Sequence, residues 1–245
     1  MKTGRTVMIT GAAGGMGAEF VRRFIANGDV VIATDTGDEA LEKLAGSIAS
    51  DQLHFHAADI GEEADTTELA ALAKDKTGRV DVLVNVAGFF PVQNFLDMTA
   101  ADWRKIIDIN LTGTALMCKA MLPLMTGRGW GRIVNIGSAS IYSGVAGQAH
   151  YVAAKSGMIG LSRSLAREFG GEGITVNVVA PGVTITPTAK KTLPETIQSE
   201  AIKARCLQRE EHAGDLTGAV FFLASPDADF VTGQTMIVDG GNEMI

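Results

Sequence analysis

The chain has 245 residues, 46% of them hydrophobic and 20% charged, with 28 acidic against 21 basic side chains and a formal net charge of −7. That composition suits a soluble globular chain with one large α/β domain over residues 1–245, and the acidic balance argues against general affinity for nucleic acids or anionic membranes. Two cysteines, Cys118 and Cys206, form no CxxC pair and are expected to be reduced, and no apolar run approaches the length of a membrane span.

In chain order, strand-like and helix-like stretches alternate from end to end. Met1–Arg5 leads directly into a strand, Arg5–Thr10, which leaves no room for a signal peptide and sets the expectation of a cytoplasmic protein. Gly15–Asn27 has apolar residues at helical spacing, Asp29–Thr34 is strand-like and Glu39–Ile48 helical. A third strand is expected at Leu53–Ala57, a helix at Glu62–Thr77 and a fourth strand at Val80–Val86. Two helical segments, Ala100–Asn110 and Leu111–Met125, precede a strand at Arg132–Ile136. A long helix at His150–Phe169, a strand at Ile174–Val179, a helix at Leu216–Leu223 and a final strand at Thr235–Val238 complete the pattern. Several strands are unbroken apolar runs, as expected of strands buried on both faces. Repeated β–α alternation then implies a doubly wound Rossmann fold, a seven-stranded parallel sheet with helices on both faces. The rival is a (β/α)8 barrel, which has a similar pattern and length.

The turn after the first strand reads Thr10-Gly11-Ala12-Ala13-Gly14-Gly15-Met16-Gly17. Glycines between a first strand and a helix let the backbone approach a pyrophosphate, while the helix N-terminus supplies free N–H groups. Asp35 ends the second strand 18 residues after Gly17, near the offset of about 20 expected of a ribose-binding acid. Its carboxylate would accept from both ribose hydroxyls and repel a 2′-phosphate, and no Arg or Lys lies between Thr34 and Glu42, so NAD is favoured over NADP. Asp59, followed by Ile60, ends the third strand and either holds the adenine amino group or caps the next helix.

Tyr151 and Lys155 lie four residues apart on one helix face. An ammonium beside a phenol lowers its pKa, and the sequence sets that expectation for Tyr151. Ser138 ends the fifth strand, where ligands bind in this fold, and its hydroxyl could hold a substrate oxygen opposite the tyrosine. His54, His56, His150 and His212 show no metal spacing, and no metal site is expected.

These residues together resemble the short-chain dehydrogenase/reductase family. The matches are the TGAAGGMG turn, Asp59, Asn85-Val86-Ala87-Gly88, Asn110, Ser138, Tyr151-xxx-Lys155, Pro181-Gly182 and Val238-Asp239-Gly240-Gly241, in the family's order from residue 10 to residue 241. The resemblance implies that Tyr151 is the acid/base, that Lys155 lowers its pKa and binds the nicotinamide ribose, and that Ser138 orients the carbonyl oxygen. Asn110 would hold a water linking Lys155 to solvent. Asn85, Ala87 and Gly88 would stabilise the central strand and the adenosine side. Ile136–Gly137 and Pro181–Thr186 would flank the nicotinamide, with Val183 and Thr186 near its carboxamide. One departure is Val86, where the family's tetrad often has a second Asn.

The activity these features imply is NAD(H)-dependent interconversion of a secondary alcohol and a ketone. The alternatives are a 3-ketoacyl thioester reductase of the same family and a non-catalytic NAD(H)-binding sensor. Residues 188–209 are expected to form a mobile substrate lid, and Phe89, Phe90, Pro91, Ser140, Ile141, Gln148 and His150 to complete the pocket wall. The apolar edge strand and the Met244-Ile245 tail suggest a homotetramer closed through two isologous interfaces.

Overall fold

The computed structural model describes residues 4–245. Met1–Thr3, part of the stretch on which the expectation of no leader rests, lie outside the described residues. Among the described residues the chain builds one sheet of seven strands in the order β3-β2-β1-β4-β5-β6-β7. The strands are β1 (Thr6–Thr10), β2 (Val30–Asp35), β3 (Leu53–Ala57), β4 (Val82–Asn85), β5 (Gly131–Ile136), β6 (Ile174–Pro181) and β7 (Thr235–Val238). Every pairing is parallel. The sheet is open, with β3 and β7 at its edges, which excludes the closed barrel.

Successive residues of a strand face opposite sides of the sheet, and β1 shows how one run serves two cores. Val7 and Ile9 join the cluster formed with Phe20, Val21 and Phe24 of α1 (Gly15–Ala26), Leu41 and Leu44 of α2 (Asp38–Ile48), and Leu216, Val220 and Phe221 of α10 (Ala213–Leu223). Met8 points the other way, into the cluster with Leu69 and Ala73 of α3 (Glu63–Thr77), Met117, Cys118 and Met121 of α5 (Gly113–Met121), and Ala166 of α7 (Ala149–Phe169). Each large apolar side chain so buried stabilises the fold by about 1.5–3 kcal/mol before conformational entropy is counted. Among the described residues no helix is long and apolar enough to cross a membrane.

Three segments depart from the sequence expectation. Ala100–Asn110 and Leu111–Met125 are joined: α4 (Ala100–Ile107), started by a Thr99–Asp102 capping box, runs through a π-helical turn at Asp108–Thr112 into α5. A short helix, α6 (Ser140–Ser143), follows β5. The expected irregular lid folds as α8 (Pro187–Thr192) and α9 (Glu195–Ala204).

Candidate active site at the carboxyl ends of the strands

The strand order turns outward in both directions from β1 and β4. Their diverging crossovers leave a crevice at the carboxyl ends, the usual ligand position in open α/β sheets. The turn from β1 into α1 sits in this crevice. Gly11 has φ +60°, and a Cβ there would stand 2.8 Å from Ala87 Cα. A Cβ on Gly17 would strike the Gly11 carbonyl oxygen, and one on Gly15 would meet Thr186 Cβ at 2.8 Å. Thr10 Oγ1 accepts from the N–H groups of Val86 at 3.0 Å and Ala87 at 3.1 Å, tying this turn to the end of β4. The result is a bare backbone cradle opening the N-terminus of a 12-residue helix, with no side chain available to cap it. Such a surface fits a pyrophosphate.

Asp35 closes one side of the cradle. Its carboxylate accepts from Ala13 N at 3.0 Å and Thr36 N at 2.8 Å. Each oxygen keeps a further lone pair for a ribose hydroxyl. Asp59 is turned onto its own loop, accepting from Gly61 N at 2.9 Å. Ile60 buries its side chain and packs both that side chain and its carbonyl oxygen against Gly113 of α5.

A polar row crosses the sheet one step inside the crevice, because Thr34, Thr10, Asn85 and Asn135 are register partners in turn. Asn85 Nδ2 donates to Asn135 Oδ1 at 2.8 Å, and Asn135 Nδ2 donates to Ser162 Oγ of α7 at 2.9 Å. The row therefore fixes α7 on the sheet, and α7 carries Tyr151 and Lys155. Asn85 thus ties β4 to β5 through Asn135. Val86, at the departure from the family tetrad, is buried and needs no polar partner for its side chain.

Lys155 Nζ donates to Ile136 O at 2.8 Å and is buried. It stands 5.8 Å from the centroid of the Tyr151 ring. Asn110, in the π-helical turn, accepts from Phe89 N at 3.2 Å and donates to Phe89 O and Ile106 O at 2.9 and 3.0 Å. Inserted single turns of this kind concentrate at functional sites. Here the extra residue brings Asn110 beneath Gly88, where a Cβ would lie 2.8 Å from Asn110 Oδ1 and 3.4 Å from Lys155 Nζ. Asn110, Gly88 and Lys155 are thus one packed group.

The protonation balance differs from the sequence expectation. Burial pushes the Tyr151 phenol up to about 12, against a lowering pull from Ser138. Burial also pushes the Lys155 ammonium down to about 8. Low dielectric penalises both charged forms and here outweighs the Tyr–Lys pairing that their spacing suggests.

Tyr151, Lys155 and Ser138 line one cavity of about 250 Å³ together with Met16, Gly88, Pro181, Gly182, Val183 and Thr186. Its outer wall includes Phe90, Val92 and Val145 from the loops, and Leu193, Ile197 and Ala201 from α9 and its link to α8. Thr186 caps α8 through Ala189 N at 3.1 Å, so this segment starts from a side chain packed on Gly15. Its far end is pinned by the buried Arg205, which donates to Val183 O at 2.8 Å and lies 3.4 Å from Glu211. Glu211 accepts from Thr184 Oγ1 at 2.6 Å, and its pKa is raised by burial. Asp239 folds the following turn by accepting from Gly241, Asn242 and Glu243 N–H groups, which places Asn242 and Glu243 on the cavity wall.

Sequence reasoning missed Asn135, Glu211 and Asn242, and gave no role of their own to Thr10 and Arg205. Asn135 had a usable signal, since aligning the ends of β4 and β5 pairs it with Asn85. Thr10, Arg205 and Glu211 also act through contacts with residues more than 20 positions away, Val86, Val183 and Thr184.

Comparison with known proteins follows the same geometry. Residues 11–243 match a family model described as enoyl-(acyl carrier protein) reductase. The chain is 38% identical over 249 residues to 2,3-dihydroxy-2,3-dihydro-p-cumate dehydrogenase of Pseudomonas putida, covering 99% of this chain and 95% of that one. It is 34% identical over 242 residues to a 3-oxoacyl-acyl-carrier-protein reductase of Salmonella typhimurium, covering 99% and 98%. A solved structure from Brucella melitensis, described as a short-chain dehydrogenase/reductase of the glucose/ribitol dehydrogenase type, superposes with a TM-score of 0.94 at 35% identity over 99% of this chain and 98% of that one.

Proposed function

The chain belongs to the short-chain dehydrogenase/reductase family, and on that premise we propose that it interconverts a compact secondary alcohol and its ketone with NAD(H), using Tyr151 as acid/base. It is an oxidoreductase acting on CH–OH groups with a nicotinamide cofactor. The observation that carries the finer statement is Ser138, Tyr151 and Lys155 converging on one cavity whose outer wall is largely apolar. The relatives divide between a dihydrodiol dehydrogenase and an oxoacyl reductase at similar identity. The acidic Asp35 and the apolar wall favour a neutral alcohol and NAD over a thioester and NADPH. A sensor has no use for an acid/base, so the intact trio also weighs against that alternative.

The cradle of Gly11, Gly14, Gly15, Met16 and Gly17 would hold the pyrophosphate, and Asp35 the adenosine ribose. Asp59 and Ile60 would border the adenine, and Ala87 and Gly88 the adenosine side. Lys155 would hold the second ribose. Pro181, Gly182, Val183 and Thr186 would border the nicotinamide. When bound, NAD(H) supplies the hydride acceptor or donor. Ser138 holds the substrate oxygen. Tyr151 takes the hydroxyl proton in oxidation and returns it to the carbonyl oxygen in reduction. Lys155, at about 8, keeps most of its charge at neutral pH, and that charge would offset part of the burial that raises the phenol. Asn110 keeps the Gly88 backbone against Lys155 and offers a place for a water between that lysine and solvent.

Binding and chemistry thus share one domain, residues 1–245, with residues 188–209 as its lid. We also propose a homotetramer in the cytoplasm. The edge position of β7 and the exposed Met244 and Ile245, 76% and 85% accessible, support the assembly. The free Cys118 and Cys206 suit a reducing compartment. Light scattering should give a mass near four times 25.6 kDa, and a mass near one copy overturns it. The activity is tested by incubating the protein with NAD or NADP and a panel of secondary alcohols, vicinal diols included, while following reduced-cofactor absorbance. Turnover of a neutral alcohol with NAD is expected. Reduction of an oxoacyl thioester with NADPH alone would favour the other reading.

A further inference from the structure

Ser138 is hydrogen-bonded to a second hydroxyl that the proposed mechanism leaves unused. Ser138 Oγ and Ser140 Oγ are 2.8 Å apart, and Ser140 N donates to Ser138 Oγ at 3.3 Å. The loop holding them is fixed on β6, because Gly137 N donates to Val179 O at 2.7 Å and Ala139 N to Pro181 O at 2.8 Å. A Cβ on Gly137 would stand 2.7 Å from Val178 Cγ1, so this anchoring requires glycine. Both hydroxyls face the cavity that contains Tyr151.

A serine hydroxyl offers one donor and two acceptor lone pairs. The Ser140 N–H occupies one lone pair of Ser138. If Ser138 donated to Ser140, its proton would be spent and it could not donate to a carbonyl oxygen. If Ser140 donates, both lone pairs of Ser138 are filled, and its proton is committed to the cavity. We infer that Ser140 is a positioning residue that holds Ser138 as a standing donor to the reacting oxygen. This rests on the reading of Ser138 and Tyr151 given above.

The proton count closes in both directions. In oxidation Tyr151, having first released its phenolic proton to solvent, takes the substrate O–H proton on its phenolate oxygen, and Ser138 keeps its own proton while donating to the substrate oxygen. In reduction the Tyr151 proton passes to the carbonyl oxygen, and Ser138 again donates without losing its proton. Ser140 touches neither reacting atom in this scheme and acts through Ser138 alone.

Two readouts test this, one of which needs no turnover. The chain has two tyrosines, so Tyr142→Phe leaves Tyr151 as the sole reporter when ring-carbon-labelled tyrosine is followed by NMR at neutral pH. Ser138→Ala should shift that resonance by removing a donor at the phenol. Ser140→Ala should shift it in the same direction, and adding Ser140→Ala to Ser138→Ala should change nothing further. An unmoved resonance in Ser140→Ala overturns the inference while leaving the proposed function intact. In kinetics with the best alcohol of the panel, Ser140→Ala should lower kcat/KM by about tenfold, roughly the worth of one hydrogen bond. Ser140→Thr, which keeps the hydroxyl, should restore most of it. A Ser140→Ala loss that persists in the Ser138→Ala background would show direct contact with substrate and also overturn the inference. Absence of turnover across the panel would count against the proposed reaction, with the NMR result still deciding the role of Ser140.

Discussion

The two ends of the same strands are built on opposite terms. At the amino ends, the buried charges of Arg5, Asp29, Asp81 and Arg132 are all paired. Arg5 donates to both Asp29 oxygens, at 3.0 and 2.6 Å, and to Ala224 O at 2.5 Å. Asp81 accepts from Thr6 N at 2.8 Å and pairs with Arg79 and Arg128. Arg132 pairs with Asp229 and lies over the Trp130 ring. At the carboxyl ends, the buried polar groups are left incomplete or displaced from their ordinary protonation. His150 Nε2 and Asn85 Oδ1 have no partner within the protein, Tyr151 sits at about 12 and Lys155 at about 8. The first end spends its charges on holding the sheet, and what it leaves without a partner, Thr175 Oγ1 and Thr235 Oγ1, is uncharged. The second leaves some of its polar atoms unsatisfied and its ionisable groups displaced, at a cost in stability, where a ligand can complete them.

If that division is real, substitutions at one end should move turnover and at the other end stability. The largest effect is expected from Tyr151→Phe, which should lower turnover by about 10²–10⁴-fold, the usual worth of a general acid/base. NAD affinity and melting temperature should barely move; retention of more than a few per cent of activity would break the assignment. Asp29→Ala should do the reverse. It leaves the Arg5 charge buried and unpaired, which costs about 3–5 kcal/mol. Denaturant unfolding should show that loss, while the kcat of the remaining folded enzyme stays near that of the parent.

Lys155→Met sharpens the comparison, because it should harm function and help the fold. The lysine's folded pKa, about 8, is below its usual 10.5. Below pH 8 it is charged in both states, and its burial opposes folding. Between about 8 and 10.5 the unfolded chain binds the extra proton, so its contribution to stability rises with pH. Lys155→Met should therefore raise stability at pH 7 by about 1–3 kcal/mol, less the cost of the unpaired Ile136 carbonyl, and the gain should fade by pH 10. A gain that grew with pH would contradict the burial of the charge. The smallest effect is expected at the rim of the crevice. Asp35→Ala with Thr36→Arg should shift the NAD/NADP ratio of kcat/KM by about tenfold or more towards NADP, ~1.4 kcal/mol. A parent enzyme that already prefers NADP would remove the basis for that design.

The sheet and most of the site are legible in the sequence because their signals are local. Gly11, Gly15 and Gly17 announce a turn by spacing, Asp35 ends a strand, and Tyr151 and Lys155 share a helix face. The direction of the Tyr151 shift is not legible, since spacing shows a nearby charge and only tertiary packing shows the loss of water around it. The π-helical turn at Asn110 escapes periodicity because one extra residue does not end an apolar pattern. Helices α8 and α9 are short and polar, and the Arg205–Val183 contact that ties their far end to the end of β6 joins residues 22 apart in sequence.

The turn organised by Asp239 has a practical consequence for anyone handling this protein. Its backbone amides hold Asn242 and Glu243 at the edge of the cavity, and the chain reaches Ile245 two residues later. A fusion partner joined directly after Ile245 would begin beside that cavity. Gly4, which adjoins the amino end of β1, lies at the opposite end of the strands from it.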